Sequence, residues 1–222
     1  MTDEKQRTRM VREIQAEVRS TSRWIGKSTL DARVIKAMAD VPRHEFVPPD
    51  MIRLAYQNEP LPIGFGQTIS QPYIVALMTD LVEPQEDHVV LEVGTGCGYQ
   101  TAVLSEVVKQ VYTIEVVQQL GEQARTRLTR LGYRNIECRI GDGYAGWPKH
   151  APYDSIVVTA AAQAIPEQLV EQLKPGGRMA IPIGRLSSGQ TLMRVRKDES
   201  GEIHCKDILP VAFVPLTSGY QG

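Results

Sequence analysis

Residues 89–98 read Val-Val-Leu-Glu-Val-Gly-Thr-Gly-Cys-Gly: a short apolar run, then three glycines in five positions. An apolar run of this length, bounded by turn residues, suits a strand buried on both faces, as in a parallel sheet. The glycines let the backbone turn sharply and let a ligand approach it closely. Outward from this point the pattern alternates. The sequence predicts a helix over 101–108, a strand over 111–114 ending at Glu115, and a helix over 120–131 stopped by Gly132. It then predicts a strand over 136–140 ending in Gly141-Asp142-Gly143, a strand over 153–159 and a helix over 166–173. A turn at Lys174–Gly177 leads to a strand over 178–183, and two further strands, 190–197 and 204–214, flank a turn at Glu199–Gly201. Strands alternating with helices imply βαβ units and a doubly wound, mostly parallel sheet.

Upstream, Met10, Ile14 and Val18 mark a helix over 4–19, and Leu30, Val34 and Met38 mark another over 31–39, capped by Asp31 or Thr29. The proline-punctuated stretch 41–62 is expected to wrap the core. Ile74, Leu77, Met78, Leu81 and Val82 form a helical stripe that starts near Pro72. A single domain is expected, with residues 1–80 as a helical, substrate-site extension and 81–222 as an α/β core with C-terminal strands.

Composition narrows the function. Lys and Arg number 25 against 26 Asp and Glu, and this near-balance argues against a nucleic-acid partner. Cys97, Cys138 and Cys205 are scattered, with no metal-ligand spacing. No apolar run approaches a membrane span, and residues 1–12 are charged rather than leader-like. A cytoplasmic monomer with no metal is expected.

In a doubly wound sheet, ligands bind beyond the carboxyl ends of the strands. Three such ends carry notable residues. The 94–98 loop could be an ordinary glycine turn. Glu115, 21 positions after Gly94, could be a solvated helix-start acid, or could accept from both hydroxyls of a ribose. Asp142 could form a plain Asx-turn, or accept from an adenine amino group. The three in register favour a nucleoside-bearing cofactor. The loop reads G-x-G-x-G rather than the dinucleotide pattern G-x-G-x-x-G.

The segment VLEVGTGCGYQTAVL (Val90–Leu104), with Glu115, Asp142 and LKPGGRMAIPIG (Leu173–Gly184), resembles the motifs of class I S-adenosylmethionine-dependent methyltransferases, a Rossmann-like fold. The flanks VPRHEFVP (Val41–Pro48), LPIGFGQTISQPYIVALM (Leu61–Met78) and LPVAFVPLTSG (Leu209–Gly219) resemble the bacterial protein-L-isoaspartate O-methyltransferase family, so the likeness spans nearly the whole chain. It implies a seven-stranded sheet with antiparallel C-terminal strands, the last two exchanged relative to most class I methyltransferases. It implies S-adenosyl-L-methionine held by Glu92, Gly94, Thr95, Gly96, Gly98, Glu115, Asp142 and Gly143. It also implies Ser70 as catalytic residue and Thr68, Ser70, Val214 and Thr217 at the substrate. The substrates would be damaged peptides and proteins methylated at the α-carboxylate of isoaspartyl residues, a repair reaction. One departure is Ala212, where the bacterial pattern usually has arginine.

This chemistry suits the residues present. A carboxylate with a pKa of about 4 is already ionised at neutral pH, so no general base is needed. His44, His88, His150 and His204 show no catalytic grouping. Catalysis would rest on proximity and orientation. Ser70, just before the Pro72 helix, would hold the carboxylate or merely cap the helix. The strand-like stretch 209–217, with Pro215 suited to an edge, would receive an extended peptide. The alternatives are a class I methyltransferase for RNA or a small molecule, a cofactor-binding module without turnover, and a dehydrogenase.

Overall fold

The computed structural model describes residues 3–219. Helix α1 (Asp3–Ser20) buries Met10, Ile14 and Val18, and the short α2 (Ser22–Ile25) follows. Helix α3 (Ala32–Asp40) is capped by Asp31, whose Oδ1 accepts the Arg33 N–H at 2.8 Å. The proline-rich stretch forms two 3₁₀ turns, Arg43–Phe46 and Pro49–Leu54, and then a hairpin. The hairpin pairs β1 (Leu61–Gly64) antiparallel with β2 (Gln67–Ile69). It was not expected from the sequence. Its strands are very short, and Pro62 lies within one of them. Its tip holds Phe65 and Gly66 with φ of 54° and 70°, where Asn or Gly usually signals the turn.

Helix α4 (Pro72–Leu81) is buried at all ten residues, so the apolar stripe is only one side of a helix enclosed all round. Its polar residues are paired. Asp80 accepts the Asp31 N–H at 2.7 Å and forms an ion pair with Lys27. Thr79 accepts from Gln100 Nε2 at 2.8 Å. The helix start is capped from a distance: Asn58 Oδ1 accepts the Tyr73 N–H at 2.9 Å. Asn58 Nδ2 in turn donates to Glu17 at 2.6 Å, and Gln71 Nε2 donates to the same carboxylate at 3.0 Å. The Tyr73 hydroxyl meets Thr21 Oγ1 at 2.6 Å. Helix α1 thereby fixes the start of α4.

The core alternates as the sequence implied: β3 (Val89–Val93), α5 (Tyr99–Ser105), β4 (Gln110–Glu115), α6 (Gln118–Arg130), β5 (Ile136–Ile140), β6 (Tyr153–Val158) and α7 (Glu167–Glu171). Three strands complete it: β7 (Leu173–Arg185), β8 (Gly189–Lys197) and β9 (Ile203–Val211). The sheet order is β5-β4-β3-β6-β7-β8-β9. Strands β3 to β7 are parallel, β8 runs antiparallel between β7 and β9, and the last two follow in chain order. The turn expected at Lys174–Gly177 is an irregularity inside β7, where the register with β6 shifts and Gly176 takes φ +78°. Helix α7 is shorter than the predicted 166–173, and α5 starts and ends earlier than predicted.

Alternate strand residues enter two separate cores, as the period of two requires. Val90, Val111, Val157 and Ala180 join the N-terminal helices and α4 in one; Leu91, Ile114, Ile156 and Met179 join Trp147 and Leu169 in the other. The first core runs unbroken from Met10 to Phe213.

The C-terminal edge departs from the strand predicted over 204–214. Strand β9 stops at Val211 and does not continue to Val214 or beyond. The Gln190 side chain takes both backbone groups of Phe213, and Ala161 accepts the Leu216 N–H at 2.8 Å and donates to Val214 O at 2.8 Å. The chain is drawn off the sheet edge and across the end of β6.

If Asn58 is the cap of α4, Asn58→Ala should cost about 0.5–2 kcal/mol, the usual loss for an N-cap. Urea denaturation would measure it, and unchanged stability would show that the cap carries no weight.

Candidate active site

A cleft opens at the carboxyl ends of β3, β4 and β6, where a doubly wound sheet is expected to bind its ligand. It is open at its mouth and is lined on one wall by the Gly94–Cys97 loop and Glu115, and on the other by Gly143, Thr159 and residues 214–217. Gly94 turns out of β3 with φ +97°, and a Cβ there would lie 2.3 Å from Thr159 Oγ1. Only glycine fits this approach. Thr159 closes the contact by donating to Gly94 O at 2.5 Å.

Glu115, at the end of β4, is buried and ties the loop down. One carboxylate oxygen accepts the Gly96 N–H at 2.7 Å and the other the Val117 N–H at 2.9 Å. Ionised carboxylates make the stronger hydrogen bonds, and acceptor sites remain on each oxygen for a ligand hydroxyl.

Glu92 does not line the cleft. It is fully buried beneath the loop, and Thr101 and Thr113 both donate to its Oε2, at 2.5 and 2.6 Å. Thr95 Oγ1 meets Thr113 Oγ1 at 2.7 Å. Thr95 is thus anchored through Thr113 to Glu92. Burial pushes the Glu92 carboxyl up to about 8, against the two hydroxyl bonds that favour its charged form.

Of the other residues singled out from the sequence, Gly94, Thr95, Gly96 and Gly143 line the cleft, and Gly98 and Asp142 do not. Gly98 is the left-handed residue that opens α5. Asp142 Oδ1 accepts the Tyr144 N–H at 2.8 Å, capping the 3₁₀ turn Gly143–Ala145. This is the Asx-turn weighed as the simpler reading, and it sets Gly143 against the strand: a Cβ on Gly143 would lie 2.4 Å from Val93 Cγ1. Thr159, at the end of β6, was not singled out. Its only signal was its place at a fourth strand end.

A shallow groove joins the cleft, lined by Pro60, Gln71, Ile74 and the backbone stretch 210–214. Four residues line both: Thr68, Ser70, Thr159 and Val214. Thr217 lines the cleft alone. At this junction the hydroxyls of Thr68 and Ser70 have no hydrogen-bond partner among the described residues. Ser70 is not the cap of α4, because Gln71 occupies that position and Asn58 supplies the bond. In the stretch 213–216 the Phe213 and Leu216 N–H groups are bonded and Pro215 has none. The Val214 N–H is left as the unpaired donor there among the described residues. The groove has no charged lining residue, and Ala212 is part of its wall.

A mostly parallel seven-stranded sheet, with a glycine loop and an acid at successive strand ends, is the arrangement of a class I methyltransferase. A sequence profile described as "Protein-L-isoaspartate(D-aspartate) O-methyltransferase (PCMT)" matches residues 23–221, and the chain belongs to that family. It is 60% identical over 214 residues to Protein-L-isoaspartate O-methyltransferase 2 of Syntrophobacter fumaroxidans, covering 96% of this chain and 87% of that one. A solved protein-L-isoaspartate O-methyltransferase superposes with a TM-score of 0.80 at 29% identity, over 96% of this chain and 67% of that one. A beta-aspartate methyltransferase of Plasmodium falciparum, solved in complex with S-adenosyl-L-homocysteine, matches in fold. Its TM-score is 0.73 at 24% identity, over 85% and 92% of the two chains.

Two outcomes follow from this geometry. Glu115→Ala should weaken S-adenosylmethionine binding by about 1.5–3 kcal/mol, the range for hydrogen bonds to a charged group. Calorimetry on the folded variant would show it, and unchanged affinity would remove Glu115 from the site. The second concerns Glu92. Unfolded, its side chain titrates near about 4.3, and folded at about 8. Between these values the folded state holds a proton that the unfolded chain has released, so its contribution to stability is lost as pH rises. Glu92→Gln should therefore gain on the wild type by up to about 1.4 kcal/mol per pH unit across that window. Parallel urea titrations would detect this, and a constant difference would show that Glu92 titrates normally.

Proposed function

We propose that the junction of cleft and groove is where this chain performs its family's reaction, transferring a methyl group to the free α-carboxylate of an L-isoaspartyl residue. S-adenosyl-L-methionine, when bound in the cleft, supplies a methyl carbon on a sulfonium, electrophilic enough for an ionised carboxylate to attack. Gly94, Thr95, Gly96, Glu115 and Gly143 would hold the cofactor directly. Glu92 would act from beneath through Thr113 and Thr95, while Gly98 and Asp142 would set the backbone. The fit is supported by the Glu115 oxygens, which keep acceptor capacity on the cleft, and by the close backbone approach at Gly94.

One observation carries the substrate side. The two cavities meet at three donors that the described fold leaves unpaired: the Thr68 and Ser70 hydroxyls and the Val214 N–H. An anion bonded there would sit between the peptide groove and the methyl donor. Ser70 then orients the nucleophile and takes no proton. Thr217 would contribute from the cleft side. Methylation turns the carboxylate into a methyl ester; the next backbone nitrogen attacks it, methanol leaves, and water opens the resulting succinimide in part to normal aspartate. The groove's lack of charged side chains supports a peptide rather than a nucleic acid as partner. The free cysteines Cys97, Cys138 and Cys205 support a reducing cytoplasm as its setting, and no helix of the described residues is long and apolar enough to cross a membrane.

An isoaspartyl residue carries its α-carboxylate on a short arm beside a lengthened backbone. A normal aspartyl carboxylate sits one methylene farther out and would miss the in-line position. Misplacement of about 1 Å can cost ~10²-fold in rate. Isoaspartyl peptides of varied sequence should accept the methyl group, and matched aspartyl peptides little or none; equal rates would sink the substrate assignment. Ser70→Ala should lower turnover at saturating peptide and leave S-adenosylhomocysteine affinity intact. Its stability should change by no more than about 0.5 kcal/mol, since the cap is Asn58. Full turnover would remove Ser70 from the reaction.

A further inference from the structure

Gln190 lies in β8 and is 5% exposed. Its carboxamide makes two hydrogen bonds to a single residue 23 positions away: Oε1 accepts the Phe213 N–H at 2.6 Å, and Nε2 donates to Phe213 O at 3.0 Å. This imitates the exchange of two hydrogen bonds that a facing residue makes in an antiparallel ladder, just where β9 has ended. Without it both backbone groups of Phe213, buried beside the groove, would lack partners.

The clamp has a consequence for the neighbouring peptide. Phe213 is held on one side by Gln190, and the Val214 carbonyl on the other by the Ala161 N–H at 2.8 Å. The Val214 N–H lies between these fixed points, and Val214 lines both cavities. We infer that Gln190 is a positioning residue for the methyl acceptor: by fixing the Phe213 peptide it aims the unpaired Val214 N–H at the carboxylate that Ser70 holds. This rests on the reading of the junction as the carboxylate site. Gln190 lines neither cavity and touches no substrate; it acts through the backbone alone. An arginine, absent at position 212, is not required for this form of recognition, because a backbone donor supplies the contact.

Steady-state kinetics on an isoaspartyl peptide test the role. Gln190→Ala should lower kcat/KM by up to ~10²-fold, the effect of about 1 Å of misplacement. S-adenosylhomocysteine affinity, by calorimetry, should stay within about twofold, the scatter of an independent site. Gln190→Glu keeps the side-chain volume and the acceptor for the Phe213 N–H but loses the donor to Phe213 O. It should also lose peptide turnover, and it decides the matter if the alanine variant fails to fold. The readout that a merely structural clamp would not move is coupling to Ser70. If both residues orient one carboxylate, the Gln190→Glu, Ser70→Ala double variant should lose less than the product of the single losses. Multiplying losses, equal losses of peptide and cofactor affinity, or unchanged kinetics in a folded variant would each overturn the role. A wild-type enzyme inactive on the peptide but able to bind S-adenosylhomocysteine would overturn the substrate reading itself, and this role with it.

Discussion

Helix α4 has no face toward solvent, and much of the molecule is arranged around that constraint. A helix buried on every side needs cover on every side, which α1 and α3 supply on the flank away from the sheet. It also needs its first N–H groups satisfied without water. Pro72 removes one donor, and Asn58, itself held by Glu17 of α1, accepts another. The N-terminal helices are therefore part of the site's architecture. They keep Ser70, two residues before the helix, out of a capping role, and its hydroxyl stays free at the junction of the two cavities.

The two halves of the site follow opposite logic. On the cofactor side nearly every polar group is bonded in advance. Glu115 holds Gly96 and Val117, Thr159 holds Gly94, and Thr95 hangs on the chain that ends at Glu92. Such a loop is set before a ligand arrives, and little ordering cost remains to oppose binding. On the acceptor side the polar groups are left open. Hydroxyls and an N–H without partners cost little where water can reach them, and they make stronger bonds once a bound chain excludes it.

How much of this was legible in the sequence depends on the range of the interactions. Strands β3 to β6 and helices α1, α3, α4 and α6 were written in local periodicity, and their ends fell within a few residues of expectation. The glycine loop and Glu115 were legible because a strand end fixes what can stand there. What the sequence hid depends on side chains that bond to backbone far along the chain. Asn58 capping Tyr73 makes Ser70 something other than a cap, and Gln190 on Phe213 ends β9 early. Neither bond leaves a periodic trace. The β1–β2 hairpin was hidden for another reason: its turn places Phe65 in a left-handed conformation that sequence rules reserve for smaller residues. Asp142 stands just past a strand end, and one oxygen of its carboxylate caps the turn beside the cleft.

The groove is walled by the end of β9, two prolines, apolar side chains and the polar Thr68, Ser70, Gln71 and Thr159, and the proposed reaction would bring a single extended chain into it. On the proposed reading this limits the enzyme in time as well as in chemistry. A damaged residue in a tail or a mobile loop can enter as it is. One locked in a helix or a central strand can enter only when its segment opens, and such openings range from nearly free to as costly as global unfolding. The pace of repair would then be set largely by the damaged protein. Lesions that loosen their own surroundings would be mended first, and those that leave the fold undisturbed would wait.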